Sequence, residues 1–216
     1  SYSMIQSRTI ARELALLVLG QIPEIESHSL SSIQLNELLN NALESLINNW
    51  REGLDTCENL LQEANEDLLQ NEELQEGKKE SLDVVRSNIK ACLDKSEKLL
   101  NELSISLDFP RLMTLSQSED IRFDATNRVH LALQKLSKID SSLDNVMEGW
   151  RLKRLPRIDR DILRLAVVDL MSLNTPPAVA CNEAVELANR YSDEQGRRMI
   201  NGVLRRLQNA DSTTTI

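Results

Sequence analysis

The chain has 216 residues, 41% of them apolar and 27% charged, which is enough for one sizeable core or a small domain with an appendage and requires no covalent staple. No run approaches the roughly 18 uninterrupted apolar residues of a membrane-spanning helix, and the opening SYSMIQSRTI has no charged-then-apolar export pattern, so a soluble, cytoplasmic chain is expected. The net charge of −9 argues against a polyanionic partner until its distribution is read: 14 acidic and 6 basic residues lie between Glu52 and Glu102, but 11 basic and 7 acidic ones between Trp150 and Gln208.

Apolar residues at three- and four-residue steps predict a first helix from Ser7 to Gly20, with Ile10, Leu14, Leu17 and Val18 on one face and Arg8 and Arg12 on another. Pro23 ends it. A second helix begins near Ser32 and carries a seam through Leu39, Leu43, Leu46, Trp50, Leu54, Cys57, Leu61, Ala64 and Leu68, far longer than an ordinary globular helix and weakest at Gly53. The polar stretch Gln70 to Lys79 contains Gly77 and suits a reversal of direction. Leu82, Val85, Ile89, Cys92, Ser96, Leu99 and Leu103 then alternate steps of three and four, the heptad rule for lengthwise packing. Together the two seams predict an acidic antiparallel hairpin over residues 50–107, closed off by Phe109 and Pro110; a coiled-coil dimer through either seam is the alternative.

A further helix is expected from Ser118 to Met147, followed by WRLKRLPRIDRDILRLAVVDL, in which Pro156 stands where a helix would start. Ile162 to Met171 is apolar almost all round except for Asp169, which predicts a central buried helix with a polar beginning. After Thr175-Pro176-Pro177 a helix runs from Ala178 to Tyr191, and after a break at Ser192 to Gly196 the last helix places Met199, Ile200, Val203, Leu204 and Leu207 on one side with Arg197, Arg198, Arg205 and Arg206 beside them. Residues 209–216 show no periodicity and are expected to be a mobile tail. No stretch alternates as a strand, so the fold class is all-α in one domain spanning residues 1–216.

Catalytic signals are lacking. The six glycines never fall in a phosphate-cradling spacing, there is no GxSxG, and the two histidines, His28 and His130, do not form a metal set with Cys57, Cys92 and Cys181, which read as buried reduced thiols. No enzyme, metal or cofactor is expected.

The tract from Trp150 to Leu170, the later strings NEAVELANRY (Asn182 to Tyr191) and MINGVL (Met199 to Leu204), and the N-terminal RTIARELALLVL occur in the order and separations of the NusB family of antitermination factors. The resemblance covers residues 8–22 and 119–208, and the long hairpin resembles the extended form of cyanobacterial members. It implies two packed helical bundles. It also implies binding of boxA RNA together with NusE, a small-subunit ribosomal protein, within the transcription elongation complex, promoting read-through on ribosomal RNA operons. Two rivals remain: the NusB-like domain of a ribosomal RNA methyltransferase, and a coiled-coil adaptor that does not touch RNA.

With the family in view, Arg8 and Arg12 are expected to face one phosphate strand, with a plain solvated helix face as the alternative. Arg197 and Arg198 open the last helix, whose exposed N–H groups favour an anion, and Gly196 beside them either permits close approach or shapes the turn. The resemblance places Arg157 and Asp159 on the border of the RNA groove, Asp159 accepting from a base amine, unless these residues pair with Arg160 and Asp161 instead. Met199 takes a position where the family often has an aromatic, which weakens base stacking. Asn182 and Asn201 read as side chains satisfying local backbone. The hairpin's acidity is expected to repel RNA, which leaves it to engage protein or act as a spacer.

Overall fold

The computed structural model describes residues 2–23, 30–77 and 82–213, and among these it contains helices, turns and no strand. The helices are α1 (Tyr2–Gln21), α2 (Ser32–Gly77), α3 (Leu82–Ser116), α4 (Glu119–Gln134), α5 (Leu136–Val146), α6 (Arg157–Met171), α7 (Pro177–Tyr191) and α8 (Glu194–Thr213), with a short 3-10 turn at Leu152–Arg154. None of them is long and apolar enough to cross a membrane. His28 lies outside the described residues, as do 214–216 of the expected tail and residues 78 and 79 at the end of the stretch expected to reverse the chain, whose earlier part, Gln70 to Gly77, instead continues α2.

The chain divides into two compact units, Ser1–Ala42 with Leu115–Ile216, and Leu43–Thr114. In the first, α6 is the shared element: α1 and α4 pack on it and on each other, while α5, α7 and α8 pack on it from the other group. Its sequence explains this, since Ile162, Leu163, Leu165, Ala166, Val167 and Val168 cover its whole circumference and all are buried. Leu14, Leu16 and Val18 of α1, Val129 of α4, Leu143 of α5 and Ile200 of α8 fill the remaining volume with essentially no exposure.

Three boundaries differ from the periodicity. The helix expected from Ser118 to Met147 is broken at Lys135, where φ is −107° and ψ is 16°, although no Pro or Gly stands there. Periodicity alone cannot show such a break, because the apolar face continues across it and the Ile139 N–H still reaches the Lys135 carbonyl at 2.9 Å. The last helix extends to Thr213, beyond the end of its apolar face at Leu207.

The third concerns Pro110, expected to end the hairpin, which instead lies inside α3. Proline has no N–H to give the carbonyl four residues earlier, Ser106 O. The indole N–H of Trp50 on α2 donates to that oxygen at 3.1 Å, and the Trp50 ring stacks on Phe109 with centroids 4.9 Å apart. A side chain from the neighbouring helix thus replaces the lost backbone donor, and the helix continues.

Candidate nucleic-acid interface

Charged residues within the first unit form three tied groups. At the centre, Asp169 of α6 accepts from Arg12 of α1 at 2.7 and 3.1 Å, from Arg128 of α4 at 2.7 Å and from Thr175 at 2.9 Å. Arg128 also donates to Asp124, and Arg12 lies 3.6 Å from Glu183 of α7. Burial alone would push the Asp169 carboxyl up, but the Arg12 and Arg128 guanidiniums outweigh it and hold the group below the usual carboxylate range.

The second group joins α6 to its neighbours. Arg157 donates to Asp161 at 2.7 Å and to the carbonyls of Leu19 and Ile22 at 2.9 Å each, satisfying the C-terminal end of α1. Arg164 binds Asp140 through two parallel bonds of 2.8 Å and Asp161 at 2.9 Å. In the third, Glu13 of α1 receives Arg190 at 2.6 and 2.7 Å and the Tyr191 hydroxyl at 2.6 Å. Burial, reinforced by the Glu13 charge, raises the Tyr191 phenol well above its ordinary value, so it remains a donor.

These contacts revise several expected RNA-binding positions. Arg12 does not face a phosphate strand beside Arg8: Arg8 is exposed, but Arg12 is 3% exposed and held by Asp169. Residues four apart on a helix are neighbours on one side of it, but at Arg12 that side meets α6, and the buried carboxylate there needs a cation. Arg157 is committed to α1 and Asp161, the internal pairing that the sequence also allowed. Asp159 is buried and accepts from the Ser192 hydroxyl at 2.6 Å, so it is not presented to a base edge.

At the start of α8 the Asp193 carboxylate already accepts from the Gly196 N–H at 2.7 Å, and Glu194 occupies the first turn and pairs with exposed Arg198. The positive helix end therefore has acidic side chains of its own. Gly196 does permit a close approach, but to the protein: a Cβ there would stand 2.1 Å from Ser192 Oγ and 2.7 Å from Asp159 Oδ2. Arg197 and Met199 are half-buried. Asn182 and Asn201, expected to satisfy local backbone, are exposed.

Arg151, Lys153 and Arg154 were not singled out by sequence reasoning, and all three are exposed. Leu152 and Leu155 are buried, and the Leu152 N–H is fixed to Asp144 Oδ1 at 2.8 Å, so the residues between and before them are turned outward. The signal was the local density of cations in WRLKRLP, ahead of a helix whose Arg157 and Arg164 are tied internally. Arg8, Arg198 and Arg205 are further exposed cations of the first unit, and exposed cations are the groups that contact a polyanion.

The NusB family model matches residues 88–209. The transcription antitermination protein NusB of Crocosphaera subtropica is 38% identical over 93% of this chain and 94% of its own length. That of Synechococcus sp. is 41% identical over 94% of this chain and 92% of its own. A solved structure of T. maritima NusB aligns over 47% of this chain and 80% of its own, with 30% identity and a TM-score of 0.41. Spans of 93% and 94% cannot omit a unit as long as Leu43–Thr114, so the hairpin lies within the likeness. This chain belongs to the NusB family.

Proposed function

We propose that the protein is a transcription antitermination factor that binds boxA-type RNA together with NusE and acts within the elongation complex to promote read-through on ribosomal RNA operons. One observation carries the reading: near full-length likeness to proteins named transcription antitermination protein. As a member of that family the chain is not an enzyme. The RNA-contacting side chains are the exposed cations Arg8, Arg151, Lys153, Arg154 and Arg198, with Arg197 and Met199 adjoining them in sequence. Arg12, Arg157 and Asp159 hold the framework beneath.

Filter binding of a boxA oligonucleotide and a scrambled one, with and without NusE and across salt concentrations, tests this. The expected result is preference for boxA, strengthened by NusE and weakened by salt. Replacing Arg151, Lys153 and Arg154 with glutamate should lower affinity at least tenfold and flatten the salt dependence, because fewer counterions are then released. Equal binding of the two oligonucleotides with NusE present would refute the proposal.

A further inference from the structure

The unit Leu43–Thr114 has two distinct sides. Its helices close on one another through Trp50 to Ser106, Cys57 Sγ to Leu99 O at 4.0 Å, and Lys95 to Asp67 at 2.8 Å, which fixes an antiparallel register. On α2 the closing line is Trp50, Cys57 and Ala64; on α3 it is Cys92, Leu99 and Ser106, each in steps of seven. A second heptad line runs beside each: Leu54, Leu61 and Leu68 on α2, and Leu93, Leu100 and Leu107 on α3, with Ile89 one turn before Leu93.

At 3.6 residues per turn the α2 line is rotated about 40° from its closing line and the α3 line about 100°, both in the direction in which the chain advances. Two right-handed helices running antiparallel carry that rotation to the same side of the pair. These leucines therefore share one face, and apart from the half-buried Leu54 they are open: Leu61 is 63% exposed, Leu93 63%, Leu100 64% and Leu107 78%. Ion pairs of Lys95 with Glu63 and Asp67 occupy the other side.

Among residues of this unit whose side chains are described, the buried apolar ones are Leu43, Cys57 and Ala64, so most of its leucine is not in its own seam. The open face offers roughly 600 Å² of apolar side chain, at the upper end of what monomers leave exposed. Two such faces would cover roughly 1,200 Å², the lower edge of a specific interface. Although the unit is strongly acidic, the charged residues bordering this face are Arg51 and Glu58 on α2 and Arg86, Lys90 and Glu97 on α3, of both signs. A rim of that kind complements a copy of itself, whereas an acidic rim would demand a basic partner.

We propose that a second copy of the chain docks on this leucine face, so that two hairpins complete a four-helix bundle neither can form alone. The full-length protein should show a reversible monomer–dimer equilibrium at micromolar concentration by sedimentation equilibrium. Leu93→Glu with Leu100→Glu should weaken association at least tenfold with unchanged helical circular dichroism, because both side chains are exposed in the single chain. Glu66→Ala with Lys98→Ala, away from the face, should leave it unaltered. A wild-type chain that stays monomeric, as it would if the face served a helix of a different protein, overturns the proposal. So does a dimer that the leucine changes do not weaken.

Discussion

Around α6 the chain encloses Ile162, Leu163, Val167 and Val168 on every side and ties each buried charge to a partner, whereas between Leu43 and Thr114 long helices leave Leu61, Leu93, Leu100 and Leu107 open. Both regions are helical and both carry apolar periodicity. The difference is the number of helices meeting at one place. Several helices surrounding α6 make an interior in which an ion must be neutralised locally, while two helices make only a line of contact with water on both sides. Charge in the first region thus becomes a buried fastening, whereas in the second the Lys95–Asp67 pair across the two helices is partly open to water and most other charge is a solvated surface.

The strongest way to break this contrast is at Asp169. Asp169→Ala should destabilise the protein by about 3–5 kcal/mol, since two buried guanidiniums lose their shared anion, and urea unfolding would measure it. The Asp169 carboxyl titrates lower in the folded than in the unfolded chain, so its contribution is present above 3.8 and is lost as pH falls through the still lower folded value. The variant's stability should accordingly decline less steeply than the wild type's on acidification in that range. Equal stability of variant and wild type at neutral pH would show that the network is dispensable.

Gly196→Ala should follow, costing about 1–3 kcal/mol as Asp159 and Ser192 are forced apart, and thermal melting reads it. In the hairpin, Trp50→Phe keeps the ring but removes the donor that replaces the missing Pro110 N–H. A loss of about 1 kcal/mol is expected, visible as faster amide exchange confined to α2 and α3 around Trp50 and Phe109. The smallest effect is opposite in sign. Gly53→Ala should stabilise the hairpin by about 0.5–1 kcal/mol, because the position is mid-helix and its nearest neighbour, Glu102 Oε2, is an unstrained 3.8 Å from the added carbon.

Residue order was sufficient for the helical class, for the central place of α6 and for the family, though not for every helix boundary, because each rests on a repeating pattern of apolar positions or on motif strings that do not depend on what lies opposite. The separation of an acidic stretch from a mildly basic C-terminal one is likewise a property of the chain. The role of individual charges is not. Arg8 and Arg12 are equivalent on a helical wheel, yet one meets solvent and the other meets Asp169; Asp159 resembles a ligand-binding carboxylate until Ser192 and Gly196 are seen against it.

Lys135 and Pro110 teach the same point for the backbone, the first breaking a helix that carries no breaker and the second sitting inside one it should end. The donor that keeps α3 intact comes from Trp50, 60 residues earlier in the sequence. Whether an arginine is a fastening or a free cation, and whether a proline stops a helix, depends on groups brought alongside by folding. Electrostatic and hydrogen-bond energies follow distance and burial, which local sequence does not encode; periodicity, which it does, was enough to establish the rest.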